Sequence, residues 1–361
     1  MTTDGVGLRA SLDARRRSLV LLAVVLHPPV VAPVVKRLTR KPRVESLNVD
    51  GVAVEVLHPP GRGPWPAWLF INGAHPLRRR EPVVWRLARG LARAGFLVVV
   101  PDIPGLGEGA VTRRTLDAAA AVVRYATERP DVKGGRVALI GASTGAGLAV
   151  VTAGRPELAS RVSVVAAVAP YADLPKLVCL TTTCFYDEQT VFEPHQVTEL
   201  HKSVIARSLV SWLPPGDERE RLLAELDAID REAADPLVEL PRRAAAVGPE
   251  ARAVINLLEN RDPDRFRDLF DALPPAMLEL LSDLSPLGVS AQLRAPVEVV
   301  VPPHDQYFPL GEAEALARSL PNVHLTITGA LDHTRPSLAR LAEFRSFERF
   351  VVRGLAAAVG P

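Results

Sequence analysis

Gly141-Ala142-Ser143-Thr144-Gly145 stands between two stretches of opposite character. Residues 136–140 before it are short and apolar, as a buried strand is, and residues 146–151 after it read as a helix of small side chains. A serine at the apex of a strand, a sharp turn and a helix is held on a strained corner, so its neighbours must be tiny. Gly141 and Gly145 clear the crossing of strand and helix, and Gly147 lets the helix pack closely. A helix start with Ser143 as its N-cap is the plainer reading. The flanking strand and helix argue against it.

Outward from this corner the chain alternates. Residues 44–49 and 52–57 switch between apolar and polar around Asp50-Gly51, the pattern of a two-residue hairpin. Residues 67–71, 96–100 and 162–168 read as buried strands, and residues 83–94 and 112–129 as helices, the first stopped by Gly95. Apolar strands separated by helices predict an α/β fold, a mostly parallel sheet with helices on both faces. From 176 to 287 no comparable strand occurs, and amphipathic helical stretches such as 218–228 and 250–259 are separated by proline-rich breaks. Strands return at 297–301 and 323–327, and a helix from 336 to about 352 closes the pattern. The expected division is therefore an N-terminal apolar and basic segment (1–43), a first part of the core (44–175), a helical lid insertion (176–287) and a second part of the core (288–361). An insertion leaving the carboxyl end of a strand would cover the ligand crevice.

Composition narrows the function classes. The chain has 361 residues, 48% hydrophobic content and a formal net charge of +2, with no basic stripe carrying interleaved aromatics, so no nucleic-acid partner is implied. Cys179 and Cys184 lack metal-ligand spacing and read as buried thiols in a reducing, cytoplasmic compartment. Arg15-Arg16-Arg17 precedes an uncharged run from 18 to 35, followed by Lys36, Arg37, Arg40, Lys41 and Arg43. Pro28, Pro29 and Pro33 interrupt the run, and residues 19–26 are too few to span a bilayer. A helix packed on the protein or on another subunit ranks first, a peripheral membrane contact through 15–43 second, and an export signal third. No oligomeric state follows.

A serine hydroxyl needs a base, and the base needs an orienting group. Of His304, His324 and His333, the second alternates within a strand, whereas His333 lies in a loop beyond it, where an imidazole can reach a nucleophile. Asp305 follows the strand 297–301 and can hold the far side of that imidazole. Asp332, adjacent to His333 in sequence, is poorly placed for head-on contact. Oxyanion donors are the backbone N–H of Thr144 and that of Ala74, in the loop Asn72-Gly73-Ala74-His75-Pro76, with His75 a substrate-binding candidate. Gly105-Leu106-Gly107-Glu108-Gly109-Ala110 fits a dinucleotide pattern but is separated from its strand and reads as a loop. His195 and His201, with Glu193 and Glu199, do not share one helical face and read as solvated surface rather than a metal site. Neither metal nor cofactor is implied.

On Asn72-Gly73-Ala74, Pro101-Asp102-x-Pro104-Gly105, the 141–145 elbow, Asp305-x-x-Phe308-Pro309 and His333 before the last helix, the chain resembles the α/β-hydrolase superfamily. The loop at 72–76 is similar to its bacterial esterase-like and dienelactone-hydrolase-like branches. The resemblance covers roughly 44–175 and 285–354 and implies Ser143 as nucleophile, Asp305 as acid and His333 as base. Asn72 departs from the superfamily's usual histidine. The implied activity is a serine hydrolase cleaving a small carboxylic ester, or a thioester or amide, through an acyl-enzyme. A catalytically silent binding protein and an acyltransferase using the same residues are the alternatives.

Overall fold

Asp50 and Gly51 both take positive φ, 48° and 85°, giving a turn whose twist matches adjacent antiparallel strands. The turn joins β1 (Arg43–Val49) to β2 (Val52–His58), with Val49 opposite Val52 and Arg43 opposite His58. The structure is a computed structural model and describes residues 3–188, 191–194, 196–230, 234–244, 246–336 and 343–360. Six further strands complete the main sheet: β3 (Trp65–Ile71), β4 (Leu97–Pro101), β5 (Val132–Ala142), β6 (Val162–Val168), β7 (Val297–Val301) and β8 (Val323–Ile327). Their order across the sheet is β1-β2-β4-β3-β5-β6-β7-β8. Only β2 runs against the rest, being antiparallel to β1 and to β4, and all other pairings are parallel.

Alternate residues of the inner strands enter different cores. Leu69, Leu139, Val165 and Val299 belong to one cluster, with α4 (Arg113–Glu128), α5 (Thr144–Gly154) and α13 (Leu310–Ser319). Trp68, Phe70, Ala138, Val164 and Val300 face the other way, toward α1 (Thr3–Leu26), α3 (Pro82–Arg93) and α14 (Phe344–Val359). Helices thus cover both faces. The doubly buried sheet explains why its strands read as continuous apolar runs.

The segment between β6 and β7 is helical, with α6 (Leu174–Thr183), α7 (Glu199–Ser211), α8 (Asp217–Asp227), α9 (Pro236–Arg243), α10 (Pro249–Glu259), α11 (Pro263–Asp271) and α12 (Pro275–Asp283). Its proline-rich breaks become helix starts. Pro236, Pro249, Pro263 and Pro275 each open a helix, where the missing N–H costs no hydrogen bond. Asp173, Thr198, Asp235 and Asp262 cap α6, α7, α9 and α11, their side chains accepting from backbone N–H groups. Helix α6 begins before residue 176, and a two-stranded ribbon (Phe185–Glu188 with Val191–Pro194) interrupts what reads in sequence as helices alone.

At the N-terminus, α1 lies on α3 and α14 and buries Ala14, Ser18, Leu21, Leu22 and Val24. Each buried leucine contributes roughly 1.5–3 kcal/mol. Arg17 donates to the carbonyl of Ala94 at 2.8 Å, and its guanidinium sits 4.9 Å from the centre of the Phe96 ring. The short α2 (Val31–Leu38) follows. Among the described residues, no helix is long and apolar enough to cross a membrane. Cys179 and Cys184 are half-buried and not joined by a disulfide. The last helix is described from Phe344; Arg335–Pro336 pairs with Leu331–Asp332 in a second small ribbon, and residues 337–342 of the expected helix lie outside the described residues.

A Cβ at Gly145 would lie 2.2 Å from the carbonyl oxygens of both Ile71 and Asn72. These are backbone atoms and cannot swing aside. Gly145→Ala should therefore destabilise the protein by at least about 3 kcal/mol, the upper end of ordinary overpacking. Urea denaturation checks this, and an unchanged midpoint would show that α5 does not cross β3 so closely.

Candidate active site

Strand β5 ends at Ala142 and α5 begins at Thr144, so Ser143 alone makes the corner, with φ 54° and ψ −127°. A non-glycine residue held there stores about 1–3 kcal/mol of strain. The surroundings impose it: the Ser143 N–H donates to Val168 O at 2.9 Å, and Ser143 O accepts from Ala146 N–H at 2.8 Å. The Ser143 hydroxyl makes no capping hydrogen bond, which removes the N-cap reading. It lines a cavity of about 350 Å³.

The parallel strands deliver three more segments to this edge. After β3, a Cβ on Gly73 would lie 3.2 Å from Ser143 Cβ, so Asn72-Gly73-Ala74 runs directly against the elbow. Ala74, His75 and Thr144 line the same cavity as Ser143. The N–H of Thr144 belongs to the first turn of α5, where helix geometry offers no intrahelical acceptor. His75 accepts from Leu77 N–H through Nδ1 at 3.2 Å, which puts the proton of the neutral ring on Nε2. Asn72 is buried, and its Oδ1 has no hydrogen-bond partner. Asp102, after β4, is ion-paired with Arg79 and accepts its N–H at 3.0 Å, tying the loops after β3 and β4 together. Glu108, in the glycine-rich stretch, accepts from Gly105 N–H and pairs with Arg78, so that stretch is a loop.

After β7, Asp305 is almost fully buried at its side chain, 4% exposed. Its Oδ1 accepts from Tyr307 N–H (2.8 Å) and Phe308 N–H (3.2 Å), while Oδ2 faces His333 Nδ1 at 2.7 Å. An ionised carboxylate only accepts, so His333 carries its proton on Nδ1 and presents a lone pair at Nε2. His333 occupies the tip of the ribbon formed by Leu331–Asp332 and Arg335–Pro336, with φ 49°. The Tyr307 ring lies 4.4 Å from it and that of Phe308 6.0 Å. Asp332 is exposed and sits across the ribbon from Arg335.

The structure therefore brings Asp305 and His333 into contact and sets His333, Ser143, Thr144, Ala74 and His75 around one cavity. No hydrogen bond joins Ser143 to His333 among the described residues. His304 and His324 are exposed. His201, read as solvated surface, is buried, its ring 5.6 Å from that of Phe308; His195 falls outside the described residues. The segment between β6 and β7 supplies Leu174, Val178, Val204, Leu209 and Trp212 to the cavity wall. Helix α7 is pinned there, as Ser208 Oγ accepts from Val111 N–H at 3.0 Å and Trp212 Nε1 donates to Val111 O at 2.7 Å. Sequence reasoning missed Tyr307, Trp212 and His201. Only Tyr307, beside a motif already singled out, left a usable signal.

Two solved structures share this architecture. A 2,6-dihydroxy-pseudo-oxynicotine hydrolase is 16% identical over 91% of this chain and 72% of its own, with a TM-score of 0.50. Est1E from Butyrivibrio proteoclasticus is 14% identical over 87% of this chain and 99% of its own, with a TM-score of 0.51. The chain has the α/β-hydrolase fold. Residues 49–199 also match the family model of the X-Pro dipeptidyl-peptidases (S15 family), a span that contains the elbow and stops before Asp305 and His333. No curated protein matches the sequence. Within this α/β-hydrolase fold, β3, β5 and β7 and the ribbon after β8 each bring one part of the site to the same edge.

One carboxylate near the site is fully buried. Glu312 on α13 accepts from Ala172 N–H (2.6 Å), Asp173 N–H (2.9 Å) and the Tyr186 hydroxyl (2.7 Å). Burial raises its carboxyl above the usual glutamate range, and the three donors oppose the shift. A carboxyl with a raised folded pKa binds more protons folded than unfolded, so it favours the fold at low pH and disfavours it as pH rises through the raised value. Glu312→Gln keeps the shape and removes the titration. Denaturation midpoints of this variant should fall less than those of the parent between mildly acidic and neutral pH; parallel curves would assign the charge no such role.

Proposed function

We propose that the protein is a serine hydrolase that cleaves a carboxylic ester through an acyl-enzyme. Ser143 is the nucleophile, His333 the general base and Asp305 the acid that orients it. The observation that carries this reading is the 2.7 Å contact between His333 Nδ1 and Asp305 Oδ2, beside a cavity that His333 shares with a serine held at a strained corner. His333 Nε2 takes the proton of Ser143 as Oγ attacks the carbonyl carbon. The N–H groups of Thr144 and Ala74 stabilise the oxyanion, and removal of one such donor typically costs about 10²–10³ in turnover. His333 then returns the proton to the departing alcohol, and water repeats the sequence to release the acid. The Asp305 carboxylate stabilises the imidazolium formed in each half. Nucleophile–base hydrogen bonds are often loose without substrate, so closing of the Ser143–His333 pair belongs to the substrate complex.

The wall built from Leu174, Val178, Leu209, Trp212 and Phe308 suits an apolar acyl or aromatic group, with His75 at its polar rim. In this reading the helices between β6 and β7 act as the lid. The unbridged cysteines support a reducing, cytoplasmic location. The match to X-Pro dipeptidyl-peptidases favours a second reading, cleavage after proline in a peptide. Whether water or another acceptor takes the acyl group separates hydrolase from acyltransferase.

A fluorophosphonate should label Ser143, and Ser143→Ala should lose both the label and turnover of short p-nitrophenyl esters by at least about 10³-fold. Asp305→Asn should lose about 10⁴-fold in kcat, because the imidazole tautomer is no longer held. Full turnover in Ser143→Ala would remove the mechanism. Turnover of a Xaa-Pro p-nitroanilide well above that of the esters would select the peptidase reading.

A further inference from the structure

Helix α2 has an apolar stripe at helical spacing, Val31, Val34 and Leu38, that faces solvent, with Val35 half-buried beside it. Leu38 is 80% exposed and the adjoining Val30 77%, and Leu19 on α1 adds a third aliphatic side chain, 65% exposed. Such a face ordinarily packs on a core. Here α2 is held otherwise: it buries Ala32 alone, and the guanidinium of Arg93 donates to Thr39 O at 2.5 Å and to Lys36 O at 3.2 Å. The tether grips the carboxyl end of the helix and leaves the stripe outward.

Charge says what covers it. From Ala14 to Val44 there is no acidic residue, while Lys36, Arg37, Arg40 and Lys41 stand exposed beside the stripe and Arg15 and Arg16 on α1. We propose that α2 and the exposed side of α1 dock on an anionic lipid surface, with the valines and Leu38 entering the headgroup boundary and the basic residues meeting lipid phosphates. An apolar face flanked by lysine and arginine is the pattern of a helix lying in an interface. A second copy would bring the same cationic patch against itself, and exposed aliphatic residues give a nucleic acid nothing to bind. Docking is independent of the chemistry proposed for Ser143.

The test is co-sedimentation of the full chain with vesicles of phosphatidylcholine alone or of phosphatidylcholine with phosphatidylserine. Binding should require phosphatidylserine and weaken with salt. Each basic residue near a membrane surface is worth about fivefold in partition, so the pair Lys36→Glu and Arg37→Glu should lower it by more than about 25-fold. The pair Val34→Asp and Leu38→Asp should lower it comparably while melting at the parent temperature, since both positions are exposed. Equal binding to both vesicle types overturns the proposal, as does undiminished binding by either pair. A dimer that Val34→Asp and Leu38→Asp disperses, or oligonucleotide binding without vesicle binding, likewise assigns the face to another occupant.

Discussion

At Ser143 the main chain holds a conformation it would not adopt alone, and the cavity is organised around that point. Both neighbours of β5 enforce it. Strand β6 accepts the Ser143 N–H through Val168, and β3 presents the carbonyls of Ile71 and Asn72 so close to Gly145 that only a hydrogen fits. The strain, of order 1–3 kcal/mol, is small beside the apolar burial of a strand at the centre of the sheet. A corner of this kind needs a central strand, because an edge strand has one neighbour and can relax.

Because β3, β5, β6, β7 and β8 are parallel, their carboxyl ends share an edge, and side chains from residues 74 to 333 meet there without long excursions. This is why the position of Asp305, four residues past β7, and that of His333, beyond β8, could be read from one chain. A residue just after an apolar run has its edge assigned by the run itself. The strands Val162–Val168 and Val297–Val301 were legible for a related reason, since burial on both faces makes them nearly continuous apolar runs, whereas Val323–Ile327, the edge strand, was legible from its alternation, with His324 exposed. Strand β5 was legible only in its second half. Its first half, Val132-Lys133-Gly134-Gly135, has glycines and a charge, and is strand because Val132 pairs with Trp65 across an irregularity in register.

Other features were invisible for tertiary reasons. His201 carries no local sign of burial; it is covered because α7 is pinned to Val111 and lies against Phe308. Pro336, expected to open the last helix, pairs instead with Leu331 in the ribbon that displays His333, a pairing with no local sign in the sequence. The N-terminal run from 18 to 35 contains two fates in one composition. Its first part finds an apolar surface in α3 and α14, and its last part, α2, is too short and too basic to follow.

A single buried carboxylate joins the parts of the site that the sheet does not. Glu312 lies seven residues beyond Asp305, on the helix that follows the acid loop, yet two of its three partners are N–H groups at the root of α6 and the third is the Tyr186 hydroxyl in the ribbon beyond α6. Phe308, between the two acids, touches both Tyr171 and His333. Movement of the helices that wall the cavity therefore pulls on Glu312, and through α13 on the loop whose carboxylate steadies the imidazole. A fully buried carboxyl is costly to leave without its hydrogen bonds, so this link resists separation of the wall from the Asp305 loop. The same geometry that hides Glu312 from water keeps the helical wall of the cavity and the Asp305 loop in register.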